Sequence, residues 1–204
     1  TGVRMQAGSG LVGVHVRNGG TVGIEANQNT TVAQAEITGN RIGLLIRGDV
    51  VNGNGIFRGE DLRIFDNGGN GVNAVEIRDD VAVTLQRCEI NNNLAQNLNG
   101  GGLRGGNEVS LTLEDCVLEG NAAPEGQGGA IWLGDQAVLN AVNTTIARNL
   151  AGNHGGGVYL GADSSAYFNN CTLSGNVAER AATACIGGGL YASDRSVVDL
   201  THCT

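Results

Sequence analysis

Short apolar runs of three to five residues recur along the chain, separated by Gly, Asn and Asp. No segment sustains the 3.6-residue period of a helix, so the runs read as short strands and the polar residues as turns. The runs fall into a repeat. Ile/Leu-x-x-Asn returns as Ile37 to Asn40, Ile64 to Asn67, Ile90 to Asn93, Leu118 to Asn121, Ile146 to Asn149 and Leu173 to Asn176, with Asn spacings of 27, 26, 28, 28 and 27 residues. After each Asn comes a Gly-rich turn and an apolar strand, clearest at Gly100 to Leu103, Gly128 to Ile131, Gly155 to Val158 and Gly187 to Leu190. An Asp or Asn marks the next turn, at Asp49, Asp79, Asn107, Asp135, Asp163 and Asp194, and a third strand follows, as in Val83-Thr84-Leu85.

A unit of about 27 residues with three short strands cannot bury its own apolar face, so neighbouring units must stack. The expected fold is an all-β, right-handed parallel β-helix, or β-solenoid, of seven to eight coils. The hand follows from the crossover rule for parallel strands. Residues 1–204 form one domain, with irregular first coils over 1–34 and regular repeats over 35–204. The recurring Asn suits a left-handed turn position, and stacked amides can bond along the rod as a ladder of Asn40, Asn67, Asn93, Asn121, Asn149 and Asn176. Two positions before each Ile/Leu lie Ala35, Leu62, Cys88, Cys116, Thr144 and Cys171, with Cys203 as a seventh member. This register reads as small buried core residues. Disulfides between coils are disfavoured, because parallel stacked side chains seldom meet the required torsion.

Alternation assigns the faces of the strand after the Gly turn. Leu103, Ile131, Val158 and Leu190 point inward. The outward column is Arg4, Glu25, Leu45, Glu76, Arg104, Trp132, Tyr159 and Tyr191. Three aromatic residues thus follow one another on an exposed face, next to Arg104. They read either as a binding or assembly surface or as stacking that stiffens the sheet. A variable loop, Val177 to Ile186, carries Glu179, Arg180 and Cys185, three further candidates for that surface. Cys185 is out of register with the core column. It reads as an exposed thiol able to link chains or as a cap on the core.

Composition narrows the partners. Gly supplies 35 of 204 residues, Pro one, and the basic residues are all Arg. The formal net charge is −8. Nucleic acid and anionic membrane surfaces are therefore poor partners, and no apolar run is long enough for a membrane helix. The acids are spread, with no paired carboxylates of a glycosidase and no recognised catalytic constellation. The Asp turn column makes calcium a minor possibility, and no other cofactor or metal is expected. His15, His154 and His202 stand apart from any nucleophile motif. Arg47-Gly48-Asp49 matches an integrin-read tripeptide, a common match by chance. Asn29, Asn143 and Asn170 head Asn-x-Thr sequons.

Gly128-Gly129-Ala130-Ile131 and the repeated Ile/Leu-x-x-Asn resemble the two short motifs of the chlamydial polymorphic outer-membrane proteins. Cys171 to Asn176 followed by Gly187 to Tyr191 is similar to repeats of many bacterial surface proteins with right-handed parallel β-helices. The usual Phe of the first motif is Ile or Leu here. The resemblance implies a secreted or cell-surface stalk, passenger or adhesin, and the lack of a catalytic cluster makes the expected role structural. Unpaired strand edges at the solenoid ends favour stacking of copies into a filament, a place in a longer surface protein, or association with neighbouring surface proteins. The alternative is a carbohydrate-binding or polysaccharide-degrading domain that uses the aromatic stripe on glycans.

Overall fold

The computed structural model describes residues 2–18, 20–48, 55–69, 73–78, 80–179 and 185–204. Among these, every regular element is a strand, and the strands pair in parallel, each with its counterpart one coil on. Sheet I has eight strands: Val3–Met5, Val22–Asn27, Ile42–Arg47, Val75–Arg78, Leu103–Gly105, Ile131–Leu133, Val158–Leu160 and Leu190–Ala192. Sheet II also has eight, from Gly10–Val12 to Val197–Thr201, and sheet III has seven, from His15–Arg17 to Thr172–Ser174. The chain is thus a β-solenoid with three main strands per coil.

Burial alternates along the strands, as in the buried–half-buried–buried pattern of Ile131–Leu133 and Val158–Leu160. The inward residues of all three sheets meet in one continuous core, which includes Ile24, Leu44, Leu103, Ile131, Leu111, Leu139, Ile90 and Leu118. The Gly-rich turns are steric requirements. Gly128 has a φ of +66°, and a Cβ on Gly129 would run into the backbone of Gly156 and Leu150.

Four details differ from the sequence reading. First, residues 1–34 are not irregular where described. Val3 pairs with Ile24 and Ile24 with Leu44, so these coils advance by 21 and 20 residues. They lack the segment that later coils insert between the Asn and the Gly turn, which is why they miss the 27-residue repeat. Secondly, that segment carries a fourth ladder of two-residue strands, Gly68–Gly69, Leu94–Ala95, Ala122–Ala123, Leu150–Ala151 and Val177–Ala178. Thirdly, the left-handed residue at the corner is not the recurring Asn but its predecessor: Gly39, Asp66, Asn92, Gly120, Arg148 and Gly175 all have positive φ. The Asn itself is free to turn its amide inward. Fourthly, Asp163 is displaced from the Asp turn column. Gln136 N bonds to Ala162 O and Asp163 N to Asp194 O, so Ala162 stands level with Asp135 and Asp194. Asp163 instead takes the left-handed position beside Arg195.

Candidate functional site

Two columns run the length of the rod, one inside and one outside. The inner column is the asparagine set. Asn40, Asn67, Asn93, Asn121 and Asn149 are buried. The Nδ2 of Asn40 donates to Oδ1 of Asn67 (3.1 Å), Asn67 to Asn93 (3.3 Å), Asn93 to Asn121 (2.9 Å), Asn121 to Asn149 (3.1 Å) and Asn149 to Asn176 (2.9 Å). Each Oδ1 also accepts the backbone N–H of the preceding Asn, as in Asn121 N to Asn149 Oδ1 at 2.9 Å. The other Nδ2 hydrogen goes to a carbonyl one coil back, as from Asn121 to Ile90 O at 2.7 Å. A buried amide is tolerated because its polar groups find partners on both sides.

The outer column lies on sheet I, and strand register places its members level in adjacent coils. Arg4 pairs with Glu25, Glu25 with Leu45, Leu45 with Glu76, Glu76 with Arg104, Arg104 with Trp132, Trp132 with Tyr159 and Tyr159 with Tyr191. Its first half is ionic. Glu25 holds Arg4 at 2.9 Å and Arg47 at 3.0 Å, and Glu76 holds Arg78 at 3.0 Å and Arg104 at 3.6 Å. These outward positions are not open, as the alternation alone implied: Glu25, Leu45 and Glu76 are 8%, 3% and 5% exposed. Leu45 packs with Val22 and Ile42 in a small apolar cluster of its own. Burial pushes the Glu25 carboxyl up, but the hydrogen bonds from Arg4 and Arg47 outweigh it and hold the group below the usual glutamate range.

The second half is aromatic. The Arg104 guanidinium lies 5.1 Å from the Trp132 ring centroid. Trp132 and Tyr159 stack at 6.1 Å with planes 8° apart, and Tyr159 and Tyr191 at 5.2 Å and 12°. His154 adds to the set, 4.8 Å from Tyr191 and 18° from its plane, while its Nδ1 accepts the Ile186 N–H. Sequence spacing left His154 isolated, because it lies outside the strand and only the coil stacking brings it to Tyr191. Gln127 Oε1 accepts from Trp132 Nε1 at 3.3 Å. Burial raises the Tyr159 hydroxyl above the usual tyrosine range, with the neighbouring Tyr191 adding to it. Parallel rings at this spacing spend their faces on one another. What the stack turns to solvent is ring edges and the polar tips of Trp and Tyr, so Tyr159 offers no free face to a sugar ring.

The loop candidates do not join this column. Glu179 is exposed, and its backbone N–H bonds to Ala151 O beside the two-residue ladder. Cys185 is half-buried rather than exposed, with its thiol 3.7 Å from Gly152 O. Arg180, like Asp49 and Asp79, lies outside the described residues. Arg47 of the Arg-Gly-Asp sequence is tied to Glu25.

Elsewhere the carboxylates also face arginines across coils. Glu36 holds Arg17 at 2.7 Å and Arg63 at 3.3 Å, with His15 at 3.5 Å. Asp61 holds Arg87, Glu119 holds Arg148, and Asp163 holds Arg195. The Arg87 and Arg195 hydrogen bonds hold Asp61 and Asp163 below the usual aspartate range. Among the described residues no three His, Cys, Asp or Glu side chains gather as a metal-binding group. The outer face of sheet II carries a polar groove of about 450 Å³, lined by Arg58, Thr84 and Thr112 in one column and Glu60, Gln86 and Glu114 in the next.

Neither the curated proteins nor the solved structures include a match to this chain. One family model does match, that of the right-handed beta helix region, and it spans residues 1–204. The match fixes the hand of the parallel coils described above. Coil, hand and full-length match together make this chain a member of the right-handed beta helix family.

Proposed function

We propose that this chain is a non-catalytic structural solenoid of a secreted or cell-surface protein, a rigid stalk or passenger of the kind that the polymorphic outer-membrane repeats resemble. The observation that carries this reading is the outer column of sheet I. Tyr159 lies between the Trp132 and Tyr191 rings, Trp132 also meets the Arg104 guanidinium, and Glu25 and Glu76 are held by arginines. Side chains so engaged stiffen a rod. Glu25, Glu36, Asp61 and Asp163 likewise serve as ion-pair partners of arginines along the rod.

A second reading, a glycan-binding face, finds its footing on sheet II instead of the aromatic stripe. The groove of Arg58, Glu60, Thr84, Gln86, Thr112 and Glu114 runs along the rod and presents hydroxyl, amide, guanidinium and carboxylate groups. One experiment separates the two. The purified chain is titrated with neutral and acidic polysaccharides by calorimetry, while reducing-end release is followed. The structural reading expects neither binding nor cleavage. Binding lost in Thr84→Ala/Thr112→Ala but kept in Trp132→Ala would establish the sheet II reading, and cleavage by the parent chain would overturn the structural one.

A further inference from the structure

We propose that the stacked cysteines Cys88 with Cys116, and Cys171 with Cys203, are two sites for a soft, two-coordinate metal cation held linearly between adjacent coils as a dithiolate. This rests on the core register and is independent of the function proposed above.

All four thiols repeat one geometry. Cys88 Sγ lies 3.3 Å from Gln86 O and 3.6 Å from Gly59 O. Cys116 Sγ lies 3.2 Å from Glu114 O and 3.3 Å from Leu85 O. Cys171 Sγ is 3.4 Å from both Asn169 O and Ala141 O, and Cys203 Sγ is 3.3 Å from Thr201 O and 3.5 Å from Phe168 O. Each thiol therefore meets the carbonyl two residues back and a carbonyl of the preceding coil. The pairs are in register. Val117 N donates to Cys88 O, and Thr204 N donates to Cys171 O. Thr144 stands between Cys116 and Cys171 and divides the column into two pairs. Its hydroxyl takes the thiol's place, 3.0 Å from Val142 O. Cys88, Cys116, Cys171 and Cys203 are free cysteines.

Side chains that are translated copies hold their sulfur atoms one coil spacing apart, about 4.8 Å. A disulfide needs a sulfur separation of about 2.05 Å and a torsion near 90°, neither of which parallel copies supply. Two metal–sulfur bonds of about 2.3 Å end to end reach about 4.6 Å, which fits the coil spacing. The side chains point across the rod and the sulfur-to-sulfur line runs along it. A cation midway thus meets each C–S bond near a right angle, where thiolate lone pairs lie. Thiolate pairs select soft cations. On binding, two S–H bonds give way to two S–metal bonds and two protons leave to solvent, with no change of oxidation state. A divalent cation such as Hg(II) then forms a neutral unit. That suits Cys88 and Cys116, each 1% exposed, because an uncompensated charge would be costly there. Cys203 is half-buried, so its pair is the more accessible.

The test uses the full chain with Cys185→Ser, so that the out-of-register thiol is silent. Mercuric chloride is added in a large excess of a competing monothiol. Retained metal is counted after desalting, and its ligands are read by X-ray absorption. The expected result is two equivalents per chain, each with two sulfurs at about 2.3 Å and no third ligand. Cys116→Ala loses one equivalent and Cys203→Ala the other, with circular dichroism unchanged. Should Cys116→Ala fail to fold, Cys203→Ala, at a half-buried position, carries the same test. Loss of a single equivalent in one variant only overturns the proposal for the other pair. No retention by the parent, retention unchanged in both variants, or a shell of one or of three sulfurs overturns it altogether.

Discussion

The two halves of the outer column on sheet I share a register and differ in chemistry. From Arg4 to Arg104 the column is ionic; from Trp132 to Tyr191 it is aromatic. Parallel coils in register set each side chain beside its counterpart about 4.8 Å away. Rings accept that arrangement, since like stacks on like with planes nearly parallel. Like charges directly opposite repel, so they need counter-charges alongside: Arg47 and Arg78 stand opposite each other with Glu25 and Glu76 beside them. The ionic half therefore alternates Arg4 with Glu25 and Glu76 with Arg104, inserts the apolar Leu45 between the two acids, and borrows Arg47 and Arg78 from the side. Translational stacking thus favours groups that are their own partners, which in this chain are rings and primary amides.

The strongest way to test that rule is the buried amide column. Asn121→Ala removes an acceptor from Asn93 and donors to Ile90 O and Asn149 Oδ1. Several buried groups lose partners at once, so a loss of about 3 kcal/mol is expected in urea unfolding. A loss below about 1 kcal/mol would mean the ladder is incidental to the fold. Next in size is the contrast between the two outer halves. Trp132→Ala removes a stacking partner and the Arg104 cation–π contact and should cost about 2 kcal/mol. The arginine partners of Glu76 are part-exposed and can turn to water, so Glu76→Gln should cost only about 1 kcal/mol. Its Oε2 is buried and has no hydrogen-bond partner among the described residues, so removing the charge also relieves a desolvated oxygen. Equal effects would erase the distinction. The smallest effect is that of pH and salt. Glu25, Glu36, Asp61 and Asp163 bind protons less readily folded than unfolded. Their stabilisation is present above the ordinary carboxylate values, 4.5 for Glu and 3.8 for Asp, and is lost as pH falls through and below them. Thermal unfolding from pH 6 to pH 3 should show that decline, and 1 M salt should flatten it while leaving the Trp132→Ala cost unchanged.

The repeat was legible because each coil repeats the same inward residues, so Leu103, Ile131, Val158 and Leu190 declare the face by alternation alone. The members of the outer column were legible for the same reason. Their burial was not. Glu25 is covered partly by Arg47, which stands two positions along the next strand from Leu45, a lateral neighbour that alternation does not show. The two-residue ladder was hidden because Leu94-Ala95 or Ala122-Ala123 is too short to alternate. The corner conformation was hidden because Arg148 and Asp66 take a left-handed φ there as Gly120 does, so no single residue type marks the position.

The amide column has one more property. Every Nδ2 reaches forward to the Oδ1 of the next coil, from Asn40 through to Asn176, and none of these five bonds runs the other way. Each carboxamide carries its own dipole, and dipoles laid head to tail add, as they do along a helix. The amide column is therefore electrically polar along its length, positive towards the coil of Asn176 and negative towards that of Asn40.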